Sequence, residues 1–518
     1  MPRLYQRLTS LLVRPIVALP LLTLLALALR LYRLDYRDYF DDEVITTFVA
    51  RQPLADIYRN VMANDSHPPF YHMLLHVWRA GFGESLTALR LFSVVTSTAC
   101  VPLVYRLGCL LTSRSAALVA AALMAIAPFQ IYHGQQARMY PLLALIVLLT
   151  SLAFVRAWRD GSWWRWLLFG LCVAAGLHTH IYFPLSLLAL DLWSIYESFA
   201  RRRFDKARWT GLIAAQALAA VLFLPFLPTL FGTIHSVVQS FWIQSTQPFD
   251  WVIDLISVAN NALLTSLPDF AMPPWYIIAS YLAAIAALLP ALIYSIREAR
   301  RNSAERGAWM LLHLMIWTPL LGATAISLAI KPILLDRSLI GISSALYVLL
   351  AWMFVRFWKR RLVQIVALAF VVSCLASNLL TFPAAHVQDD LVRMADYLAR
   401  EARPGDAIAY ADWQSFDTAA LTHPQQPDVY VLPFPDDPTA QTYWHRRMEA
   451  MRWRSPRMVA SVPEFGPRYQ RIWLAFSLYT YGLDYHKQVN QGWLEQHGRR
   501  VDRIEFPRAV LFLYEMTR

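Results

Sequence analysis

Runs of about 20 apolar residues recur along most of this chain, and that recurrence constrains its fold more than any other feature. A helix of that length crosses a hydrocarbon core, and a chain with many such runs has no soluble core large enough to bury them. The 518 residues are 57% hydrophobic and only 16% charged, against roughly 25% charged in soluble domains. Eleven spans are expected, near 12–32, 88–111, 115–132, 136–156, 164–181, 183–199, 209–231, 275–296, 308–329, 335–355 and 361–381. The first run follows Arg3, Arg7 and Arg14 and ends in Leu-Arg-Leu-Tyr-Arg, with no small-residue cleavage site. It reads as a retained span.

Loop charge orients the spans. Arg106 and Arg114, then Arg156, Arg159 and Arg165, then Arg201, Arg202, Arg203, Lys206 and Arg208 fall in alternate short loops. Arg297, Arg300, Arg301 and Arg306 continue the pattern, as do Arg356, Lys359, Arg360 and Arg361. The intervening short loops hold only Arg138, Lys331 and Arg337. Basic loops stay on the cytoplasmic side, so the N-terminus is expected inside and the C-terminal segment outside. This distribution also accounts for the net charge of +12. It speaks against a nucleic-acid partner, because the cations flank apolar runs instead of forming one face. The cysteines Cys100, Cys109, Cys172 and Cys374 all sit in apolar segments without metal spacing, as small buried hydrophobes do.

Two expected outer loops are long: 34–87, with short amphipathic stretches at 43–51 and 68–80, and 232–274, with another at 249–266. Such stretches suit the membrane surface. From 383 onward the composition changes. Asp389 to Arg403 reads as an amphipathic helix, and Ala407–Tyr410, Arg471–Phe476, Arg503–Phe506 and Ala509–Tyr514 read as strands. The expected architecture is an all-α polytopic membrane bundle over 1–382 and a small extracytoplasmic α/β domain over 383–518. The basic run His445 to Arg457 suits a solvated helix face or an anionic lipid surface.

Four clusters carry candidate chemistry. Asp41-Asp42-Glu43 follows the first span. A carboxylate there can act as a base toward a hydroxyl, and the same charges also suit a helix N-terminus. Asp65-Ser66-His67-Pro68-Pro69-Phe70-Tyr71 is expected to open a helix, a setting hospitable to phosphate. His72 and His76 on that helix read as packing residues, since no acidic third ligand stands nearby. His133-Gly134-Gln135-Gln136-Ala137-Arg138-Met139-Tyr140 and Leu335-Asp336-Arg337-Ser338 each place one arginine at an outer span end. An arginine there either snorkels or clamps a phosphate. His178-Thr179-His180-Ile181-Tyr182 ends the fifth span and suits phosphate contact, a metal shared with Asp65, or interfacial anchoring.

In this order, these motifs resemble the glycosyltransferase C-type superfamily, most nearly its dolichyl-phosphate-mannose protein mannosyltransferases and bacterial aminoarabinose lipid A transferases. The resemblance covers about residues 10–380 and includes Arg90, which leads a span ending Tyr105-Arg106-Leu107-Gly108. It implies an inverting transfer from a polyprenyl-phosphate sugar to a hydroxyl on a lipid, glycan or protein acceptor at the outer face of the cytoplasmic membrane. Asp42 would match the catalytic carboxylate and Glu43 would position the site. His67, Arg138, Arg337 and His180 would meet the departing phosphate, supported by Asp41, Asp65, Tyr71, Arg90, Gln136 and Tyr140. The chain departs from the pattern at Gln136, often Glu in relatives, and at Ser338, commonly aromatic. Ser66 stands near the place of an acidic metal ligand, so no metal ligand set is assigned and a divalent metal stays open as a cofactor. A transporter or flippase of lipid-linked glycans, and a polymerase or ligase using lipid diphosphates, are the competing readings.

Overall fold

The computed structural model describes residues 14–35, 41–64, 67–231, 274–301, 305–330, 333–385, 390–423, 428–432, 457–459, 461–478 and 483–517. The second long loop, with its stretch 249–266, lies outside them, as do Asp65, Ser66, Lys331 and the run His445 to Pro456. In chain order the helices are α1 (Pro15–Leu31), α2 (Asp41–Arg51), α3 (Leu54–Asn64), α4 (Phe70–Phe82), α5 (Leu86–Leu111), α6 (Arg114–Ile126), α7 (Pro128–Gly134) and α8 (Tyr140–Asp160). They continue with α9 (Trp163–Leu177), α10 (Phe183–Ala200), α11 (Lys206–Phe223), α12 (Pro274–Arg301), α13 (Arg306–Ala329), α14 (Ser343–Arg356) and α15 (Arg361–Ala385). The last two longer helices are α16 (Asp390–Glu401) and α17 (Trp413–Thr422).

The chain divides into two compact units, Met1–Leu34 with Asp65–Ala385, and Asp35–Asn64 with His386–Arg518. The first expected outer loop is therefore split. Its carboxylate-bearing helix α2 groups with the C-terminal residues, whereas α4 groups with the bundle.

The first unit is a helical membrane bundle. Among the described residues, six helices are long and apolar enough to cross a membrane, and a seventh span results if α6 and α7, bent by 52°, count as one. Shorter apolar helices stand at Pro15–Leu31, Trp163–Leu177 and Ile342–Arg356. Local signals set the ends. Ser85 and Ser113 cap α5 and α6 by accepting from the N–H of Ala88 and Ala116, and Asp205 caps α11. Proline stands in the first turn of α1, α7, α8 and α10, where its missing N–H costs nothing. Gly108 lets α5 and α6 meet closely, because a Cβ there would lie 2.9 Å from the Cα of Ala117. Leu24, Ile278, Leu368 and Leu379 remain largely exposed on the bundle surface, as lipid-facing side chains are.

The second unit holds a six-stranded sheet of β1 (Ala407–Tyr410), β2 (Asp428–Val431), β3 (Arg457–Met458), β4 (Arg471–Ser477), β5 (Gly498–Phe506) and β6 (Ala509–Met516). The order is β3-β2-β1-β4-β6-β5. Strands β3, β2, β1 and β4 are parallel, and β6 and β5 add antiparallel. Side chains alternate between two apolar layers. Ile408, Tyr410 and Trp473 join Leu398 and Phe416 on one face. Ala409, Leu474 and Phe512 join Tyr430 and Phe465 on the other. Helix α16 occupies the place read from its amphipathic pattern, and four strands overlap the expected ones. Strands β2 and β3 and helix α17 were not expected. Edge strand β5 is mostly exposed and carries Arg499, Arg500 and Arg503, which blunt it against further pairing. Helix α17 packs against both the sheet and α2.

Candidate functional site

Three turns at one end of the bundle bring the predicted cations together. Helix α4 opens at Phe70 with Pro69 at its cap, so His67 precedes the helix instead of beginning it. Two consecutive prolines delay the first turn, since a residue before proline avoids the α region. The Phe70 N–H donates to the carbonyl of His178 at 3.1 Å, fastening this segment to the α9–α10 turn. The rings of His67 and His180 stand 4.8 Å apart in consequence. The third turn holds Arg337, in a 3₁₀ helix (Arg337–Ile342) whose first N–H is capped by the Asp336 carboxylate. The hydroxyl of Tyr182 donates to the carbonyl of Ile333, which ties this turn to the α9–α10 turn. The segment between α7 and α8 supplies Arg138, whose guanidinium carbon lies 5.8 Å from the Tyr140 ring centroid.

His180 is the centre of this group. It is fully buried. Its Nδ1 accepts from the Tyr182 N–H at 3.1 Å, so in the neutral ring the proton sits on Nε2. That Nε2–H is buried and meets no hydrogen-bond partner among the described residues. Burial holds the His180 ring well below the usual histidine range, and His67, Arg138 and Arg337 push it the same way. A neutral donor thus stands among three groups of positive or potentially positive charge. A buried donor of this kind is satisfied by an acceptor, and the surrounding positive charge favours an anionic one. Burial also pushes the Tyr182 phenol up, which keeps it a donor.

Two narrow crevices begin here. One is lined by Tyr182, Ser338, Leu143 and Ser186 among others. The next shares Val147 and Ser186 with it and adds Thr150, Leu187, Leu190 and Met315. They run along α8 and α10 into the apolar bundle.

The remaining predicted residues fall into distinct places. Tyr71 is buried, packs edge-on to His72 and meets Phe92 at a tilt. Arg90 is fully buried and donates to the carbonyl of Leu34 at 3.0 Å. Gln136 is buried with its Oε1 3.3 Å from His133 Nδ1, and Tyr140 lies 6.0 Å from the His180 ring. His178, the other half of the histidine pair, turns away to the carbonyl of Leu222. Asp41, Asp42 and Glu43 open α2 in the other unit. Asp42 is half-buried and Glu43 fully buried. Among the described residues no three His, Cys, Asp or Glu gather as a metal site. Sequence reasoning missed Tyr182 and Ser338 as site residues. The Thr-His-Ile-Tyr run contained the first, but nothing in it marked a reach to Ile333.

Residues 66–229 match the model of a family described as dolichyl-phosphate-mannose-protein mannosyltransferase. No curated protein matches the chain by sequence. Among solved structures, ArnT from Cupriavidus metallidurans in the apo state is 13% identical, with 95% of this chain and 97% of that chain covered at a TM-score of 0.63. ArnT bound to undecaprenyl phosphate is 14% identical over the same shares, at 0.59. AglB, the oligosaccharyltransferase of Archaeoglobus fulgidus in complex with an inhibitory peptide and a dolichol-phosphate, is 12% identical over 97% of this chain and 74% of its own, at 0.53. The chain therefore shares, over nearly its whole length, the fold of these membrane proteins, which is the glycosyltransferase C-type fold.

Proposed function

We propose that the protein is an inverting glycosyltransferase that moves a sugar from a polyprenyl monophosphate to an acceptor hydroxyl. The observation that carries this is the unpartnered, buried N–H of His180 set among His67, Arg138 and Arg337. Solved ArnT and AglB structures hold undecaprenyl phosphate and dolichol-phosphate respectively.

In this reading Asp42 takes the proton of the acceptor hydroxyl as its oxygen bonds to the anomeric carbon. The bond from that carbon to the phosphate oxygen breaks, and the phosphate leaves with the electron pair. Arg138 and Arg337 offset the growing charge bidentately, and neutral His180 donates a hydrogen bond to it. Stabilisation of developing charge in a water-poor site is usually the largest catalytic contribution. Glu43, buried beside Asp42, positions that end of the helix. The eleven-span count, a cytoplasmic N-terminus and an extracytoplasmic C-terminal unit in the inner membrane belong to the same proposal, supported by the alternation of basic loops.

Purified protein should release polyprenyl phosphate from a sugar-charged monophosphate donor, tested with a panel of sugars. Turnover only with diphosphate donors would favour the polymerase or ligase reading. Movement of intact lipid-linked glycan across vesicles without release would favour the flippase. Sugar and acceptor follow from the panel and from glycan mass spectrometry of a deletion strain.

A further inference from the structure

Arg30 is a charged group that the mechanism leaves unused, and it is among the most buried of the described residues. Arg30 lies in the last turn of α1 with no exposed surface. Its Nη2 donates to the carbonyl of Met124 at 3.1 Å, and its Nη1 to that of Ala125 at 3.1 Å and of Ala26 at 3.0 Å. The first two lie among the last carbonyls of α6, at the 52° bend into α7. In an unbroken helix the N–H of residue 128 would serve Met124 and that of residue 129 would serve Ala125. Residue 128 is proline and has no N–H. Arg30 thus supplies the two donors that the break removes, inside an apolar bundle where bare carbonyls are costly.

Hydrogen bonds continue from Arg30 in both directions. Its Nε donates to Ser97 Oγ at 2.7 Å, and that hydroxyl donates to the Gln130 carbonyl at 3.2 Å. Gln130 Nε2 then donates to Ser343 Oγ at 2.9 Å, which donates to the Ile340 carbonyl at 2.6 Å, inside the turn that begins at Arg337. On the other side, Gln135 Nε2 donates to the Arg30 and Tyr32 carbonyls at 3.2 and 2.9 Å. This fixes the start of the segment that carries Arg138. Gly134 is seated against the same group, since a Cβ there would lie 3.0 Å from Ser97 Oγ and 3.2 Å from Arg30 Nε.

We propose that Arg30 is a positioning residue for the site: it holds the α6–α7 break, and through Ser97, Gln130 and Ser343 it sets the Arg138 segment and the Arg337 turn at one fixed separation. The inference rests on the reading that Arg138 and Arg337 bind the donor phosphate. A lysine offers donors but not the planar fork that reaches both carbonyls and Ser97 together.

The test is a double-mutant cycle on the full chain in nanodiscs, read as affinity for undecaprenyl phosphate, with melting temperature as the folding control. Arg30→Lys should weaken binding about tenfold, equivalent to one lost charge-assisted hydrogen bond. Ser343→Ala leaves the break intact and should weaken it about threefold. The Arg30→Lys effect should shrink in an Arg138→Ala background, and the Ser343→Ala effect should shrink below about twofold in an Arg337→Ala background, because a contact already removed cannot be mispositioned. Effects of equal size in the natural and the alanine backgrounds, or no effect of Ser343→Ala, would overturn the inference and leave Arg30 a fold residue. An Arg138→Ala protein with wild-type affinity would instead overturn the phosphate reading beneath it. Should Arg30→Lys not fold, the cycle with Ser343→Ala decides alone.

Discussion

The cation-bearing turns and the carboxylate-bearing helix are built in opposite ways. His67, His180, Arg138 and Arg337 are held by the membrane bundle, on short turns fastened by backbone bonds such as Phe70 to His178 and by the Tyr182 hydroxyl on Ile333. Asp42 and Glu43 sit on α2, which groups with the α/β unit and packs against α17 of that unit. In the proposed mechanism the bundle turns are the part that meets the phosphate. The carboxylate half takes its support from a water-soluble type of core. Binding and proton transfer are therefore separable by mutation, and the separation can be broken from either side.

The largest effect is expected at Asp42. Asp42→Asn should lower kcat about 10²–10⁴-fold, the span of general-base catalysis, and leave undecaprenyl phosphate affinity unchanged. Wild-type kcat in that variant would remove Asp42 from the mechanism.

Next come the arginines. Arg138→Ala and Arg337→Ala should each weaken lipid-phosphate binding about 10- to 100-fold, as loss of charge-assisted contacts does. Lysine at either position should recover part of it, since charge returns without the fork. A fall in kcat with unchanged affinity would place these groups with the carboxylates and erase the division.

A smaller effect tests the support of α2. Thr418 is buried on α17, on a different side of the helix from Phe416, which faces the sheet cluster. Thr418→Leu should overpack that side at a cost of about 1–3 kcal/mol. It should lower kcat several-fold with lipid-phosphate affinity intact. Parallel loss of both would mean that the α/β unit supports the whole site.

The smallest effect concerns pH. Unfolded, His180 gains a proton near pH 6.5, the usual histidine value, whereas in the folded chain burial and three neighbouring cations resist it. Acid therefore favours the unfolded chain, and His180 lowers stability progressively as pH falls below about 6.5. Melting temperature should drop less steeply with acid in His180→Gln than in the natural protein. Identical profiles would mean that His180 is protonated in the fold.

Much of this was legible without coordinates. Apolar runs of membrane length, basic residues in alternate loops, and short apolar strand-length runs at Ala407–Tyr410 and Ala509–Tyr514 are local patterns. Each needs only nearest neighbours along the chain to be read. The motifs around His67, Arg138, His180 and Arg337 were also visible, since rare polar residues at apolar span ends stand out. Less visible was β2, because Asp428–Val431 is short, follows a proline-rich stretch, and gains its partners from strands distant in sequence. His178 and His180 looked alike in sequence. The turn between α9 and α10 sends one to Leu222 and the other into the cation cluster.

What the sequence by itself determined is the membrane class, the succession of apolar helices and the residues able to carry charge. These follow from composition and periodicity, which are properties of a chain segment alone. Only the tertiary structure decided which of those residues meet. It buried His180 with a donor to spare and placed α2 with the α/β unit. It also showed Arg30 supplying donors for two carbonyls at the α6–α7 break. The last of these depends on hydrogen bonds between residues about 95 positions apart, and no local pattern records which distant carbonyl a buried arginine will find.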